Sequence, residues 1–318
     1  MIDAIRSDES NLYELVETFF RSTFSTDNAL ITEAVRRMLA AGGKRLRPRM
    51  TLLGASACGG DPVTHLHLAA YMELIHVATL IHDDVVDNAQ TRRGVNATAV
   101  DFGNRVSVLA GDYLFAWIFK NVTADYPHPV PHILSATLAA ICDGEVLQLR
   151  ALGDLETTLD AYVETARKKT ATLFAASAEC GAIMGGGSPE QIEALRAYGD
   201  AYGIAFQMAD DLLDLEADER TIGKPVGNDL TERKMTIPLI LALARGGAAF
   251  RDDVARFYAG SGTDGIETIV AGIAAAGGLD ATRGEIHRFV TSAKDALKPL
   301  APSAAKEELY RLADALVG

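Results

Sequence analysis

The sequence predicts an all-α protein, a large helical bundle forming a single domain over residues 1–318. Three observations carry that prediction. Apolar residues recur at helical spacing through long runs rich in Ala, Leu, Glu and Arg. Strand-like alternation of β-branched and polar residues is scarce. The breaks between runs are short Gly or Pro punctuators, and no polar linker or composition shift separates two halves.

In chain order, the periodicity predicts helices near 11–23, 28–41 and 48–57. Asp61-Pro62 sets a capping residue before a proline at the first helical position, opening a helix that runs to about His82. Further helices are expected near 105–122, 132–150 and 157–184. Ser188-Pro189-Glu190-Gln191 reads as a capping box that opens a helix toward Asp214. The remaining helices are expected near 233–246, 249–259, 264–276, 280–297 and 303–317. Breaks fall at Gly42-Gly43, Gly59-Gly60, the proline-rich stretch 126–131, Gly185-Gly186-Gly187 and Gly260-Ser261-Gly262.

Composition narrows the function. With 48% hydrophobic and 23% charged residues, the chain can bury a sizeable core and is not a disordered segment. Its 43 acidic and 30 basic residues give a net charge of −13, which argues against a nucleic-acid binder and against attraction to an anionic membrane surface. The N-terminus lacks the basic and apolar regions of a signal peptide. No window reaches 18 uncharged apolar residues; the best candidate for a span, Leu66 to Ile81, is broken by Glu73 and His76. Cys58, Cys142 and Cys180 are odd in number and widely spaced, and read as small buried hydrophobes of a reducing, cytoplasmic compartment. His65 and His67 read as helix-surface residues.

Two acidic clusters stand out. Asp83-Asp84-Val85-Val86-Asp87 and Asp210-Asp211-Leu212-Leu213-Asp214 share the pattern DDxxD, and each closes a strongly apolar segment. On a helix the first, second and fifth positions share a face, so each cluster converges three carboxylates. One such triplet alone would read as a solvated helix end. Two copies behind apolar runs call for a cation to offset the repulsion, and hard oxygen donors suit Mg²⁺ completed by water and phosphate oxygens.

Cations follow each cluster. Arg92-Arg93-Gly94 comes after the first, and Gly223-Lys224-Pro225-Val226-Gly227-Asn228-Asp229-Leu230 with Lys234 after the second. Upstream, Gly42-Gly43-Lys44-Arg45-Leu46-Arg47-Pro48-Arg49 packs four cations beside a glycine pair, where backbone can approach a ligand and Arg can grip phosphate oxygens. Lys168-Lys169-Thr170 adds a further cation or a solvated helix face. Loops of the P-loop, dinucleotide-binding, HExxH and GxSxG types are absent from the sequence.

These residues resemble the trans-prenyltransferases, the all-trans polyprenyl diphosphate synthases. The resemblance covers nearly the whole chain through seven ordered motifs: GGKRLRP at 42–48, ELIHVATLIHDDVVD at 73–87, RRG at 92–94, GDYLFA at 111–116, KT at 169–170, FQMADDLLD at 206–214, and GKPVGNDL with Lys234. It implies a helical bundle of isoprenoid synthase type around a deep central cavity, usually as a homodimer. It further implies that Asp83, Asp84 and Asp87, with Asp210, Asp211 and more weakly Asp214, hold Mg²⁺, three ions per site when substrate is bound. Lys44, Arg47, His76 and Arg93 would bind isopentenyl diphosphate. Arg92, Lys169, Lys224 and Lys234 would grip the allylic diphosphate, and Thr170 and Gln207 would stabilise the allylic cation. Where the family has glycine before the last lysine, this sequence has Arg233. In the reaction so implied, diphosphate departs, the double bond of isopentenyl diphosphate attacks the allylic cation, and the released diphosphate removes a proton.

In that family bulky residues one turn before the first cluster stop chain growth, whereas Ala78 and Thr79 are small here. A helix from Pro62 to His82 is about 31 Å long, so the resemblance implies a long-chain, octaprenyl-like product, with Tyr71, Met72, Leu74, Ile75, Trp117 or Phe119 as a deeper floor. The alternatives are a farnesyl or geranylgeranyl diphosphate synthase, a class I terpene cyclase, and a non-catalytic subunit of a heteromeric prenyltransferase. Both intact DDxxD clusters and GGKRLRP disfavour the cyclase, and the retention of all six aspartates disfavours the non-catalytic subunit.

Overall fold

The computed structural model describes residues 16–19, 24, 26–216, 227–260 and 265–317. The helix expected near 11–23 falls largely outside them, with 16–19 helical. The chain divides into two compact units: Met1–Ser135 with Ala176–Leu195 and Leu300–Lys306, and Ala136–Ala175 with Arg196–Pro299 and Glu307–Gly318.

In the first unit, α1 (Ala29–Ala40) is capped by Asn28, whose side chain accepts from the backbone N–H groups of Leu30 and Ile31. A loop leads to α2 (Leu46–Ala57), and a 3₁₀ turn, Pro62–His65, is capped by Asp61. The central helix is α3 (Leu66–Val86), packed on α2 and on α5 (Asn104–Asp125). It is central because Leu68, Met72, Leu74, Ile75 and Ile81 are fully buried, each such side chain contributing about 1.5–3 kcal/mol. Toward its N-terminal half the Tyr71 ring lies 5.9 Å from Trp117, which in turn lies 5.5 Å from Phe24. Between α3 and the short α4 (Thr98–Phe102), strands β1 (Thr91–Arg92) and β2 (Val95–Asn96) pair antiparallel with Arg92 opposite Val95. The two-residue turn uses positive φ at both Arg93 and Gly94, the geometry that matches strand twist.

The second unit takes the later part of α6 (Val130–Ala151), then α7 (Leu159–Ala166), a π-helical turn at Arg167–Ala171 and the start of α8 (Thr172–Met184). It continues with most of α9 (Pro189–Glu216), α10 (Asn228–Thr231), α11 (Ile237–Leu243), α12 (Gly247–Ala259), α13 (Ile266–Ala275), α14 (Gly278–Ala296) and the end of α15 (Ala304–Asp314). Helix α11 is buried against α13 and α14. The capping box that opens α9 is complete: Ser188 Oγ accepts from Gln191 N and Gln191 Oε1 accepts from Ser188 N.

Several expectations change. The helix opened at Asp61 is first a 3₁₀ turn and runs on to Val86, so the first acidic cluster is its last turn. The helix expected at 233–246 starts only at Ile237, because Arg233 takes a left-handed conformation that ends the preceding turn. Of the cysteines, Cys180 is buried, and burial pushes its thiol pKa up, but Cys142 is exposed. His65 is buried and lies 3.0 Å from Thr64 Oγ1, whereas His67 is exposed. Among the described helices, Val130–Ala151 is long and apolar enough to cross a membrane by length and composition, although only 28% of that window is buried within the protein. Asp143, Glu145 and Arg150 interrupt it.

Candidate active site

The first acidic cluster closes α3. Asp83 and Asp87 are half-buried and share a helix face, while Asp84 is completely buried. The β1–β2 hairpin carries Arg92 back to it, and Nε and Nη2 reach Asp84 Oδ1 at 2.7 and 2.6 Å. The second aspartate is therefore held by a charge-assisted fork. His82, just before the cluster, lies 3.0 Å from Val108 O.

Above α2 sits the cationic loop. Lys44 is exposed and Arg47 is buried. Arg93 donates from Nη1 to Gly42 O, and it crosses so close to Gly43 that a Cβ there would meet that nitrogen at 2.7 Å. Burial lowers the pKa of His76 well below its ordinary value, and the charges of Arg47, Arg93, Arg92 and Arg45 lower it further. One turn toward the acidic cluster, Ala78 is fully buried and Thr79 Oγ1 donates to His76 O at 2.8 Å.

In the second unit Asp211 is the hub. Tyr162 donates its hydroxyl to Asp211 Oδ2 at 2.7 Å, Gln207 Nε2 donates to Oδ1 at 2.9 Å, and the Ile237 N–H reaches Oδ2 at 3.3 Å. Thr170 Oγ1 donates to Gln207 Oε1 at 2.7 Å, so Thr170, Gln207 and Asp211 form one chain. Burial, then the negative charge of Asp229, pushes the Asp211 carboxyl up to about 7 against the donors that would lower it. Asp210 is exposed, and half-buried Asp214 accepts from Asp229 N at 3.2 Å.

The π-helical turn holds Lys169 and Thr170. Gly144 of α6 makes room for it, since a Cβ there would stand 2.4 Å from Lys169 N. Lys169 Nζ pairs with Glu145 at 2.6 Å and also donates to Gln148. Lys168 lies 3.6 Å from Glu164, on a more exposed face. Lys234 lies in the loop before α11, paired with Glu232 and 3.7 Å from Asp229 Oδ1. Lys224 lies outside the described residues.

Thus Lys44, Arg47, His76, Ala78, Thr79, Asp83, Asp84, Asp87, Arg92 and Arg93 belong to the first unit, and Lys169, Thr170, Gln207, Asp210, Asp211, Asp214 and Lys234 to the second. Sequence reasoning missed Glu73, Arg45 and Tyr162. An acidic residue inside the apolar stretch of α3 was the available signal for Glu73; nothing in the sequence marks Tyr162. Among the described residues, no group of three or more His, Cys, Asp or Glu side chains forms a ready metal cage. The donors still fit Mg²⁺. They are hard oxygens, and the raised pKa of Asp211 beside Asp229 and Asp210 marks negative charge that a divalent cation would offset.

Residues 28–271 match the family described as Polyprenyl synthetase. The chain is 36% identical over 288 residues to the short chain isoprenyl diphosphate synthase of Methanothermobacter thermautotrophicus, covering 89% of each chain. Among solved structures, a decaprenyl diphosphate synthase from Rhodobacter capsulatus is similar with a TM-score of 0.89 and 42% identity, covering 99% of this chain and 97% of that one. A polyprenyl synthase from Caulobacter crescentus CB15, complexed with calcium and isoprenyl diphosphate, has a TM-score of 0.91 and 38% identity, covering 99% and 96%. The all-α expectation is met, with the fold of solved polyprenyl synthases.

Proposed function

This chain belongs to the polyprenyl synthetase family, and from that membership we propose that it is a prenyltransferase condensing isopentenyl diphosphate with an allylic diphosphate, farnesyl or geranylgeranyl, to give a long-chain all-trans polyprenyl diphosphate. The observation that carries the reading is the set of arginines around His76: burial first, and then their charges, keep that imidazole neutral, and the cluster marks a seat for a polyanion. Lys44, Arg47, His76 and Arg93 hold isopentenyl diphosphate there. Arg92, Lys169, Lys224 and Lys234 grip the allylic diphosphate.

Mg²⁺, three ions per site with substrate bound, would be held by the two acidic clusters and supplies charge neutralisation of the departing diphosphate. Asp84 Oδ1 is taken by Arg92, so Asp83 and Asp87 are the outward ligands of the first cluster. Asp210, Asp211 and Asp214 serve in the second. Thr170 and Gln207 direct oxygen dipoles at the allylic cation. The allylic C1–O bond breaks first, its electron pair leaving with the diphosphate, and the C4 carbon of isopentenyl diphosphate then bonds to the C1 of the allylic cation. A proton then leaves for the released diphosphate, so no side-chain base is needed. Among the described residues, four helices, α6, α8, α9 and α15, continue from one unit into the other, which supports treating 1–318 as one polyprenyl synthase domain. The exposed side chains Val108, Leu109 and Tyr113 of α5, and Val146 and Leu149 of α6, support a homodimer, and the polar side chains on α6 favour a cytoplasmic protein over a membrane span.

The test is incubation with Mg²⁺, isopentenyl diphosphate and farnesyl diphosphate, followed by measurement of product length. A long linear product supports the reading. A product of four units or fewer favours the short-chain alternative carried by the Methanothermobacter relative. A cyclic hydrocarbon would point to a terpene cyclase, and no elongation by the pure chain to a non-catalytic subunit. Ala78→Tyr, which puts a bulky ring one turn before Asp83, is expected to shorten the product by several units; unchanged length would show that this position does not bear on the growing chain.

A further inference from the structure

The loop 42–45 carries Lys44 to the surface without regular secondary structure, and one buried residue holds it from below. Arg45 has a left-handed backbone, φ 47°, a conformation unfavourable for a residue with a Cβ, and only 7% of the residue is exposed. Its guanidinium folds back under the loop. Nη2 donates to Leu39 O at 2.9 Å, Nη1 reaches Gly42 O at 3.5 Å, and Nε donates to Glu17. Nη1 also donates to Glu73 Oε1 at 3.1 Å.

Glu73 lies in the apolar middle of α3 and is 2% exposed; its Oε2 is buried with no hydrogen-bond partner among the described residues. A carboxylate so placed is stable only against a cation. Its charge also draws on Arg93, which grips the same loop through Gly42 O. His76 follows Glu73 by three residues on the same helix face.

We propose that Glu73 is a positioning residue that sets affinity for isopentenyl diphosphate by holding Arg45 beneath the loop that presents Lys44 and leads into the first turn of α2, where Arg47 lies. The inference rests on the reading of those cations as the isopentenyl diphosphate seat. Without the anchor, the strained turn at Arg45 relaxes and its neighbours on either side move with it. Of the residues read as gripping the allylic diphosphate, Lys169 and Lys234 belong to the second unit, whereas this loop belongs to the first.

Glu73→Gln keeps the shape and removes the charge. Steady-state kinetics with each substrate varied in turn should show the KM for isopentenyl diphosphate rising about tenfold, the worth of one charge-assisted hydrogen bond, with kcat and the allylic KM within about twofold. An unchanged KM for isopentenyl diphosphate, or an equal rise for both substrates, would overturn the proposal. Arg45→Lys keeps a charge beside Glu73 but loses the fork; it carries the same prediction should Glu73→Gln fail to fold. A wild-type chain that elongates no primer would sink the functional reading but leave the anchor testable. Calorimetry with inorganic diphosphate in the absence of Mg²⁺ should then show about tenfold weaker binding by Glu73→Gln, and equal affinity would overturn it.

Discussion

Asp84 and Asp211 occupy the same place in their two clusters, the second of two adjacent aspartates behind an apolar run, and both are buried. Asp84 meets a cation, the Arg92 fork delivered by the β1–β2 hairpin. Asp211 meets neutral donors, the Tyr162 hydroxyl, the Gln207 amide and the Ile237 N–H, with two further aspartates close by. The DDxxD pattern sets burial, since a helix that sinks its apolar face takes the second aspartate in with it. The neighbours set charge. The first cluster is partly neutralised by the protein itself, whereas the second leaves more of that work to whatever cation binds.

The largest effect is expected where the comparison is broken at its charged partner. Arg92→Leu leaves the buried Asp84 without its guanidinium. Chemical denaturation should show a loss of about 3 kcal/mol, the lower end of the range for breaking a buried pair because Arg92 itself reaches solvent. The double variant Asp84→Leu/Arg92→Leu should recover part of that loss, since it strands no charge. A single variant as stable as wild type would mean that the ion pair contributes nothing to the fold.

The second cluster should respond to pH instead. Asp211 has a pKa of about 7 in the folded state, above the ordinary carboxylate value it regains on unfolding. The folded protein therefore binds the extra proton, and this contribution to stability is lost as pH rises from about 4 toward about 7. With divalent cations chelated, Asp211→Asn should gain stability relative to wild type across that window, read as the difference between their melting curves. Adding Mg²⁺ near pH 7 should stabilise wild type more than the variant. A difference that is flat with pH would show that Asp211 does not titrate as its surroundings imply.

Much of this contrast was legible in the sequence, but not its cause. The helices, the Ser188–Gln191 capping box and both acidic clusters follow from period, caps and spacing. The hairpin that delivers Arg92 did not, because two-residue strands carry no period to read. The π-helical turn at Lys169 and Thr170 differs from α-helix by a shifted hydrogen bond that no residue type announces. Arg45 and Glu73 are 28 positions apart, and Asp211 and Tyr162 are 49 apart. Such pairs become neighbours only through packing. The Arg233 position, where the family resemblance expects glycine, is the reverse case: the sequence flagged it, and its positive φ of 59° explains why glycine suits that site.

The finest test of the contrast is Tyr162→Phe, which removes one hydroxyl and leaves Asp211 its other two donors. Burial lifts the Tyr162 pKa well above its ordinary value, so the group stays a neutral donor at working pH, and its loss should cost about 1 kcal/mol. With one donor fewer, Asp211 should titrate higher still, and the Mg²⁺ concentration for half-maximal activity should rise while the KM for isopentenyl diphosphate stays put. The same measurement on a variant of the first unit supplies the contrast, because Asp84 has its cation built in. Equal Mg²⁺ demand from Tyr162→Phe and wild type would mean that the hydroxyl orients nothing and that the two clusters differ only in their surroundings, not in how they act.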